Sequence, residues 1–204
     1  MRVYFARHGE SEANVLRVIS NRDVPHALTP KGRDQAARLA DSLLDKAIVH
    51  LYASPIPRAA ETAAIIAKRL EVPITIDDGL REFDCGVFEG RDDPEAWDLH
   101  LGVMRRWYEH NDLSARLEGG ESFEEMEDRF RKTIANILQT HEAKNETVLC
   151  ITHGALLCSM LPLVLQNVTR DQIIELGLGN AIPIETYFHQ GGGLCRRWGD
   201  QEVN

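Results

Sequence analysis

Apolar positions along the chain alternate between short continuous runs and longer stretches where they recur every three or four residues, the periods of buried strands and of amphipathic helices. The run Val3-Tyr4-Phe5-Ala6 predicts a strand that delivers Arg7, His8 and Gly9 at its end. After a polar loop, Thr29-Pro30 reads as an N-cap followed by proline at the first helical position. Ala36, Leu39, Ala40, Leu43 and Leu44 then keep helical spacing up to about Asp45. Ile48 to Ala53 predicts a second strand, closed by Ser54-Pro55. Ala59, Thr62, Ala63, Ile66, Ala67 and Leu70 mark the next helix, and Pro73 to Ile76 a third strand.

From Asp77 to Gly90 the pattern is irregular. Pro94 to about Asn111 predicts a helix with Trp97, Leu101, Met104 and Tyr108 along one face, and the excursion 91–118 is a candidate lid. Ser122 with Glu125 forms a capping box ahead of Phe123, Met126, Phe130, Ile134, Ile137 and Leu138. Thr147 to Thr152 predicts a fourth strand, ending in His153-Gly154 before an apolar helix. Glu185 to His189 and Leu194 to Trp198, joined across Gly191-Gly192-Gly193, predict a hairpin at the sheet's edge. Strands alternating with helices imply an α/β fold, with a largely parallel sheet covered on both faces and a mixed edge. The chain 1–204 reads as one domain.

Composition narrows the function classes. A net charge of −9 argues against a general nucleic-acid or anionic-membrane binder, whose affinity comes from spread basic surface. Cys85, Cys150, Cys158 and Cys195 have no short paired spacing, so neither a disulfide framework nor a zinc knuckle is expected, and a reducing cytoplasm is the simpler home. Arg7, His8 and Glu10 interrupt any secretion-signal core. The apolar run from Ala155 to Leu165 holds Ser159 and Pro162 and is too short to span a bilayer.

Ligands of such sheets bind beyond the carboxyl ends of the strands. Those ends carry Arg7-His8-Gly9, Ser54 to Arg58, Arg81-Glu82 and His153-Gly154, which gathers histidines, arginines and a carboxylate at one edge. The planar fork of arginine matches the nonbridging oxygens of a phosphoryl group, making Arg7 and Arg58 candidates for a clamp. His8 has no accompanying set of ligands at metal spacing and suits a nucleophile held beside an anion. His153, if protonated, donates to the same oxygens, and the two rings form a coupled pair. A carboxylic acid at Glu82 could protonate a leaving alkoxide and then deprotonate water. Asp84, Glu89 and Glu121 compete for that role, and the residues alone do not rank them. Asn14 suits either a phosphate contact or a turn.

The set Arg7-His8-Gly9-Glu10 with Asn14, Ser54-Pro55-Ile56-Pro57-Arg58-Ala59-Ala60-Glu61-Thr62-Ala63, Leu80-Arg81-Glu82 with Gly86 and Glu89-Gly90, Gly119-Gly120-Glu121-Ser122, and Thr152-His153-Gly154 closely resembles the histidine phosphatase superfamily, also called phosphoglycerate mutase-like. The match runs from about residue 1 to the Asn180 region. The resemblance implies a three-layer α/β/α fold and catalysis through a covalent phosphohistidine with neither metal nor cofactor. It makes His8 the nucleophile and Glu82 the proton donor. Arg7, Arg58 and His153 become the phosphate pocket, with Asn14 and the Gly154 backbone as secondary contacts.

Within that family, the cofactor-dependent mutases usually carry a tyrosine three residues after this glutamate and a lysine eleven after it. This chain has Cys85 and Asp93 there, and it lacks their longer middle insertion. Arg105-Arg106, near the place of a mutase arginine pair, reads as surface helix beside Asp92, Asp93 and Glu95. The segment from Asn14 to Asp23 is a residue short, Ile19 replaces a usual polar group, and Pro25-His26-Ala27-Leu28 adds two residues before Thr29. The expected activity is a phosphatase acting on a small phosphorylated metabolite. Phosphoglycerate mutase is the enzymatic alternative, and a noncatalytic phosphate-binding or interaction domain is the other.

Overall fold

The computed structural model describes residues 1–22, 26–189 and 192–203. β1 (Arg2–Arg7) is followed by α1 (Glu12–Leu16), α2 (Pro30–Ser42), β2 (Ile48–Ala53), α3 (Pro57–Leu70) and β3 (Ile74–Ile76). After two 3-10 turns, Asp78–Leu80 and Gly86–Phe88, come α4 (Pro94–Glu109), α5 (Phe123–His141), β4 (Thr147–Thr152), α6 (Gly154–Val164), α7 (Arg170–Leu176), β5 (Pro183–His189), β6 (Gly192–Trp198) and β7 (Gln201–Glu202).

The sheet order is β3-β2-β4-β1-β5-β6-β7. The first four strands are parallel, and β5, β6 and β7 add an antiparallel edge. Because successive side chains of a strand point to opposite faces, β1 feeds two cores. Val3 and Phe5 join Phe130, Met126 and Leu157 on the face covered by α5 and α6. Tyr4 and Ala6 join Leu39, Leu43, Ala63 and Ile66 on the face covered by α2 and α3. Coverage of both faces makes Val3 to Ala6 buried without a gap and yields three layers, α/β/α.

The predicted helix starts are met by their caps: Thr29 accepts from the Gly32 N–H with Pro30 at the first helical position, and Ser122 and Glu125 cap each other's backbone. Gly86, at φ +58°, meets the Gly119-Gly120 loop backbone to backbone; a Cβ there would lie 1.9 Å from the Glu118 carbonyl oxygen. That contact holds the start of α5 against the segment after Glu82.

Several elements differ from expectation. The polar loop after β1 contains α1, started by a Ser11/Asn14 capping box. α7 follows α6, started by Thr169 and Gln172, and β7 extends the edge. The buried stripe of α4 is Ala96, His100, Val103 and Trp107, one position off the predicted face, and Leu101 is exposed. The predicted hairpin forms, although Gly191 in its connection lies outside the described residues, as do Asp23 and Pro25 in the loop whose length departs from the family pattern. No helix among the described residues is long and apolar enough to cross a membrane.

Candidate functional site

β1, β4 and β2 lie side by side and stop at one level, joined past their ends by His8 N–H to the Thr152 carbonyl (2.9 Å) and Ser54 N–H to the Ile151 carbonyl (3.1 Å). The strand ends therefore bring Arg7, His8, Ser54 and His153 together, as the pattern of runs predicts. Gly9 permits the corner after His8: a Cβ there would lie 2.4 Å from the Gly32 carbonyl oxygen, a clash with backbone. The Gly9 N–H donates to Thr62 Oγ1 (3.1 Å), and Thr62 in turn donates to the Arg58 carbonyl (2.7 Å). Asn180 Nδ2 donates to the carbonyl of His8 (2.9 Å).

The His8 ring is buried, with Nδ1 2.7 Å from the Gly9 carbonyl oxygen and Nε2 2.9 Å from Arg58 Nε. A guanidinium only donates, so Nε2 is the unprotonated acceptor and Nδ1 carries the hydrogen given to Gly9. Burial, then Arg58 and Arg7, hold this imidazole well below its ordinary range. It is neutral, with its lone pair on the nitrogen that faces the arginine.

Arg58, in the first turn of α3, is itself buried. Nη1 donates to the Ser20 carbonyl and Nη2 to Asn21 Oδ1 at 3.3 Å. Burial pushes it down to about 10, which leaves it a cation at neutral pH. Arg7 is anchored through Nη1 to the Leu178 carbonyl (3.0 Å), while its buried Nε has no partner. Gly154, which opens α6, lies against the Arg7 guanidinium.

His153 is fully buried, its ring centroid 5.1 Å from that of His8. Nε2 lies 2.8 Å from Ser54 Oγ, which also accepts from the Ile56 N–H. The Ser54 hydroxyl can donate to Nε2 or accept from it; in the tautomer where it donates, the ring hydrogen sits on Nδ1, which is buried without a partner. Burial and the charges of Arg58 and Arg7 hold His153 well below its ordinary range. Without an anion present both rings are neutral, and in that tautomer His153 donates through Nδ1 without a second proton.

Glu82 is buried at the start of α6. Its Oε2 accepts from the Ala155 N–H (2.8 Å), and its Oε1 from those of Leu156 (2.7 Å) and Phe83 (3.2 Å). Burial raises its pKa, opposed by the Ala155 N–H and Arg58. The loop beneath is pinned by Thr152 Oγ1 to the Leu80 carbonyl (2.6 Å) and by Arg129 Nη1 to the carbonyls of Gly79 and Arg81, both 2.9 Å.

The rival carboxylates are engaged elsewhere. Glu121 pairs with Arg129 (2.6 Å), Asp84 with Arg22 (2.9 Å), and Glu89 accepts from the N–H groups of Asn21, Arg22 and Cys85. Arg81, expected at a strand end, follows the 3-10 turn Asp78–Leu80 and pairs with Asp78 (2.7 Å). Asn14 lines the cavity with its Oδ1 held by the Ser11 N–H (3.1 Å), so its amide nitrogen is the available donor.

These groups border a cavity of about 400 Å³. Arg7, His8, Arg58, Glu82 and Gly154 form one end, and Phe83, Trp97, His100 and Met104 line it as well. α4 is tied over it by Trp97 Nε1 to the Arg17 carbonyl (2.8 Å). Among the described residues no group of three or more His, Cys, Asp or Glu side chains is placed to hold a metal ion.

His100, which the predicted face of α4 passed over, has Nδ1 3.3 Å from Cys85 Sγ, and burial pushes it down to about 4 from an ordinary 6.5. A depressed histidine contributes stability above its ordinary pKa and loses it as pH falls towards the folded value. Between pH 7 and 5 this ring alone is expected to remove about 2 kcal/mol of unfolding free energy. Urea titrations of His100→Gln should show an acid-induced loss smaller by that amount, while His8 and His153 keep theirs.

A family model described as the histidine phosphatase superfamily (branch 1) matches residues 3–201. A probable phosphoglycerate mutase, GpmB, of Salmonella choleraesuis (strain SC-B67) is 33% identical over 172 residues, covering 81% of this chain and 75% of that protein. Among solved structures, Bacillus stearothermophilus YhfR superposes with a TM-score of 0.82 at 28% identity, over 98% of each chain. A mycobacterial glucosyl-3-phosphoglycerate phosphatase complexed with VO3 superposes with a TM-score of 0.80 at 23% identity, over 98% of this chain and 99% of that one, and so supports the fold.

Proposed function

Since the chain belongs to the histidine phosphatase superfamily, branch 1, we propose that it is a phosphatase that hydrolyses a small phosphomonoester through a phosphohistidine on His8. The observation that carries this is a pair of buried donors without partners, Arg7 Nε and His153 Nδ1, beside a neutral histidine. An unpaired buried donor costs about 1–3 kcal/mol, which an arriving phosphoryl oxygen would repay. Arg58 then turns its Nε hydrogen bond from His8 to the phosphoryl group and frees the Nε2 lone pair.

In the first displacement, Nε2 forms a bond to phosphorus while the bond to the ester oxygen breaks, and that oxygen takes the proton of Glu82. In the second, Glu82 as carboxylate takes a proton from water, whose oxygen bonds phosphorus as the Nε2–P bond breaks. The cations of Arg7 and Arg58 stabilise the charge on the transferring group. Splitting the reaction lowers each barrier, and the preorganised donors supply a large share of the ~10 kcal/mol or more that monoester hydrolysis requires. Residues 91–118, through α4, act as the cover of the site.

The name of the GpmB relative favours a second reading, phosphoglycerate mutase. Against it, Cys85 is buried, receiving a hydrogen bond from Asn21 and contacting His100, and Asp93 caps the Ala96 N–H and pairs with Arg91. Neither lines the cavity, where the mutase tyrosine and lysine would be needed. Incubation with 3-phosphoglycerate, with and without 2,3-bisphosphoglycerate, separates the readings. Release of inorganic phosphate is expected; efficient isomerisation without release would make the protein a mutase.

A further inference from the structure

Beyond its phosphoryl end the cavity is built from groups that carry no charge. Phe83 stacks on His100 with centroids 4.9 Å apart and planes at 27°, Trp97 meets the same imidazole edge-on at 5.1 Å, and Met104 completes the lining. His100 stays neutral at physiological pH, so it offers no counter-charge to an anion. Among the described residues lining the cavity, the cations are Arg7 and Arg58, both committed to the phosphoryl group, and Glu82 adds an acid beside them.

Most arginines around the cavity are already matched; the exceptions, Arg170 stacked over the Tyr108 ring with its Nε unpaired and the exposed Arg17, do not line it. The adjoining cleft, which shares Asn21 and Glu82, sets four arginines against five carboxylates. Arg22, Arg81, Arg116 and Arg129 each have a carboxylate within 2.9 Å. At the outer mouth Arg17 shares its cleft with Asp92 and Asp98. A carboxylate or second phosphate held against the Phe83, Trp97 and Met104 wall would therefore lose its hydration with no cation of the described lining beyond Arg7 and Arg58 to meet it, which is costly.

We propose that this cavity takes phosphomonoesters whose alcohol half is uncharged and presents an aromatic or apolar face to Phe83, Trp97 and Met104, and that it rejects substrates bearing a second anionic group. The proposal names the substrate class of the phosphatase reading and rests on it for turnover, whereas the binding preference follows from the wall alone.

Calorimetric titration with two phosphonates that are not hydrolysed tests the preference directly. At neutral pH benzylphosphonate is expected to bind at least tenfold more tightly than 3-phosphonopropionate. Trp97→Ala should weaken benzylphosphonate about tenfold with a smaller effect on 3-phosphonopropionate, and Met104→Lys should narrow or invert the preference by adding a cation to the wall. Equal affinities, the reverse order, or binding of neither by the wild-type protein overturns the proposal. In turnover, kcat/KM for 1-naphthyl phosphate should exceed that for 3-phosphoglycerate at least tenfold. Failure to release phosphate from either ester would instead sink the phosphatase reading, while the phosphonate ordering still decides the substrate class.

Discussion

Replacing His8 by alanine is expected to lower kcat/KM for 4-nitrophenyl phosphate by roughly 10⁴-fold or more, the scale seen when a covalent nucleophile is deleted. No acid-labile phosphoenzyme should then be trapped by quenching with acid-sensitive detection. The size follows from how completely the site commits this ring. Its Nδ1 hydrogen is fixed on the Gly9 carbonyl, its Nε2 is the unprotonated nitrogen, and burial with two arginines keeps it neutral. No second nucleophile stands in the same place, because the His153 Nε2 is engaged by Ser54. Since Arg7, Arg58 and His153 survive the substitution, His8→Ala should still bind inorganic phosphate or vanadate. Retained binding with lost turnover separates a missing nucleophile from a misfolded site. Activity equal to wild type would overturn the phosphohistidine, and absence of His8-dependent turnover in the wild type itself would favour a noncatalytic phosphate-binding domain.

The legibility of this site in the sequence followed from its construction. Arg7, His8 and His153 stand directly after apolar runs, so the strand period placed them at one edge, and β1, β4 and β2 are neighbours in the sheet. Arg58 follows the second apolar run closely enough to share that edge; in the structure Pro57 opens the helix that carries it. The choice of Glu82 over Asp84, Glu89 and Glu121 needed the family pattern, because a carboxylate's partner across the fold leaves no mark on its own segment. In the structure Glu82 borders the cavity and accepts from the N–H groups that open α6, while the other three carboxylates are engaged elsewhere.

Other parts carried too weak a signal or none. Arg7 and Arg58 are anchored by the carbonyls of Leu178 and Ser20, and a backbone carbonyl is the same whatever the residue. α1 is five residues long, too short to display a stripe. The largest apolar residues of α4 predict a different face from the one it buries: the helix buries Ala96 and His100 and turns Leu101 outward. The polar His100 therefore lies outside the predicted face, although it lines the cavity. The start of α7 was readable, since Thr169 and Gln172 fit the capping-box spacing.

Glu82→Gln should separate substrates by their leaving groups. For an alkyl phosphate, whose alkoxide cannot depart without a proton, kcat/KM is expected to fall by about 10²–10⁴-fold, the usual contribution of a positioned general acid. For 4-nitrophenyl phosphate the loss should be at least tenfold smaller, because the nitrophenolate departs unprotonated. The pH profile carries the same information. Burial raises the Glu82 pKa, so the acid form persists to higher pH than for an ordinary glutamate, and wild-type activity on alkyl esters should decline as pH rises through that value. The variant should lose this limb. A structural cost accompanies the kinetic one: both oxygens accept backbone N–H groups of α6, and glutamine can offer only one oxygen. The displaced N–H is expected to cost about 1–3 kcal/mol in unfolding free energy. A merely structural role for Glu82 would produce that loss of stability with equal loss of turnover on both esters. Unequal loss, with the alkaline limb gone only for the alkyl ester, is the result that makes Glu82 the acid.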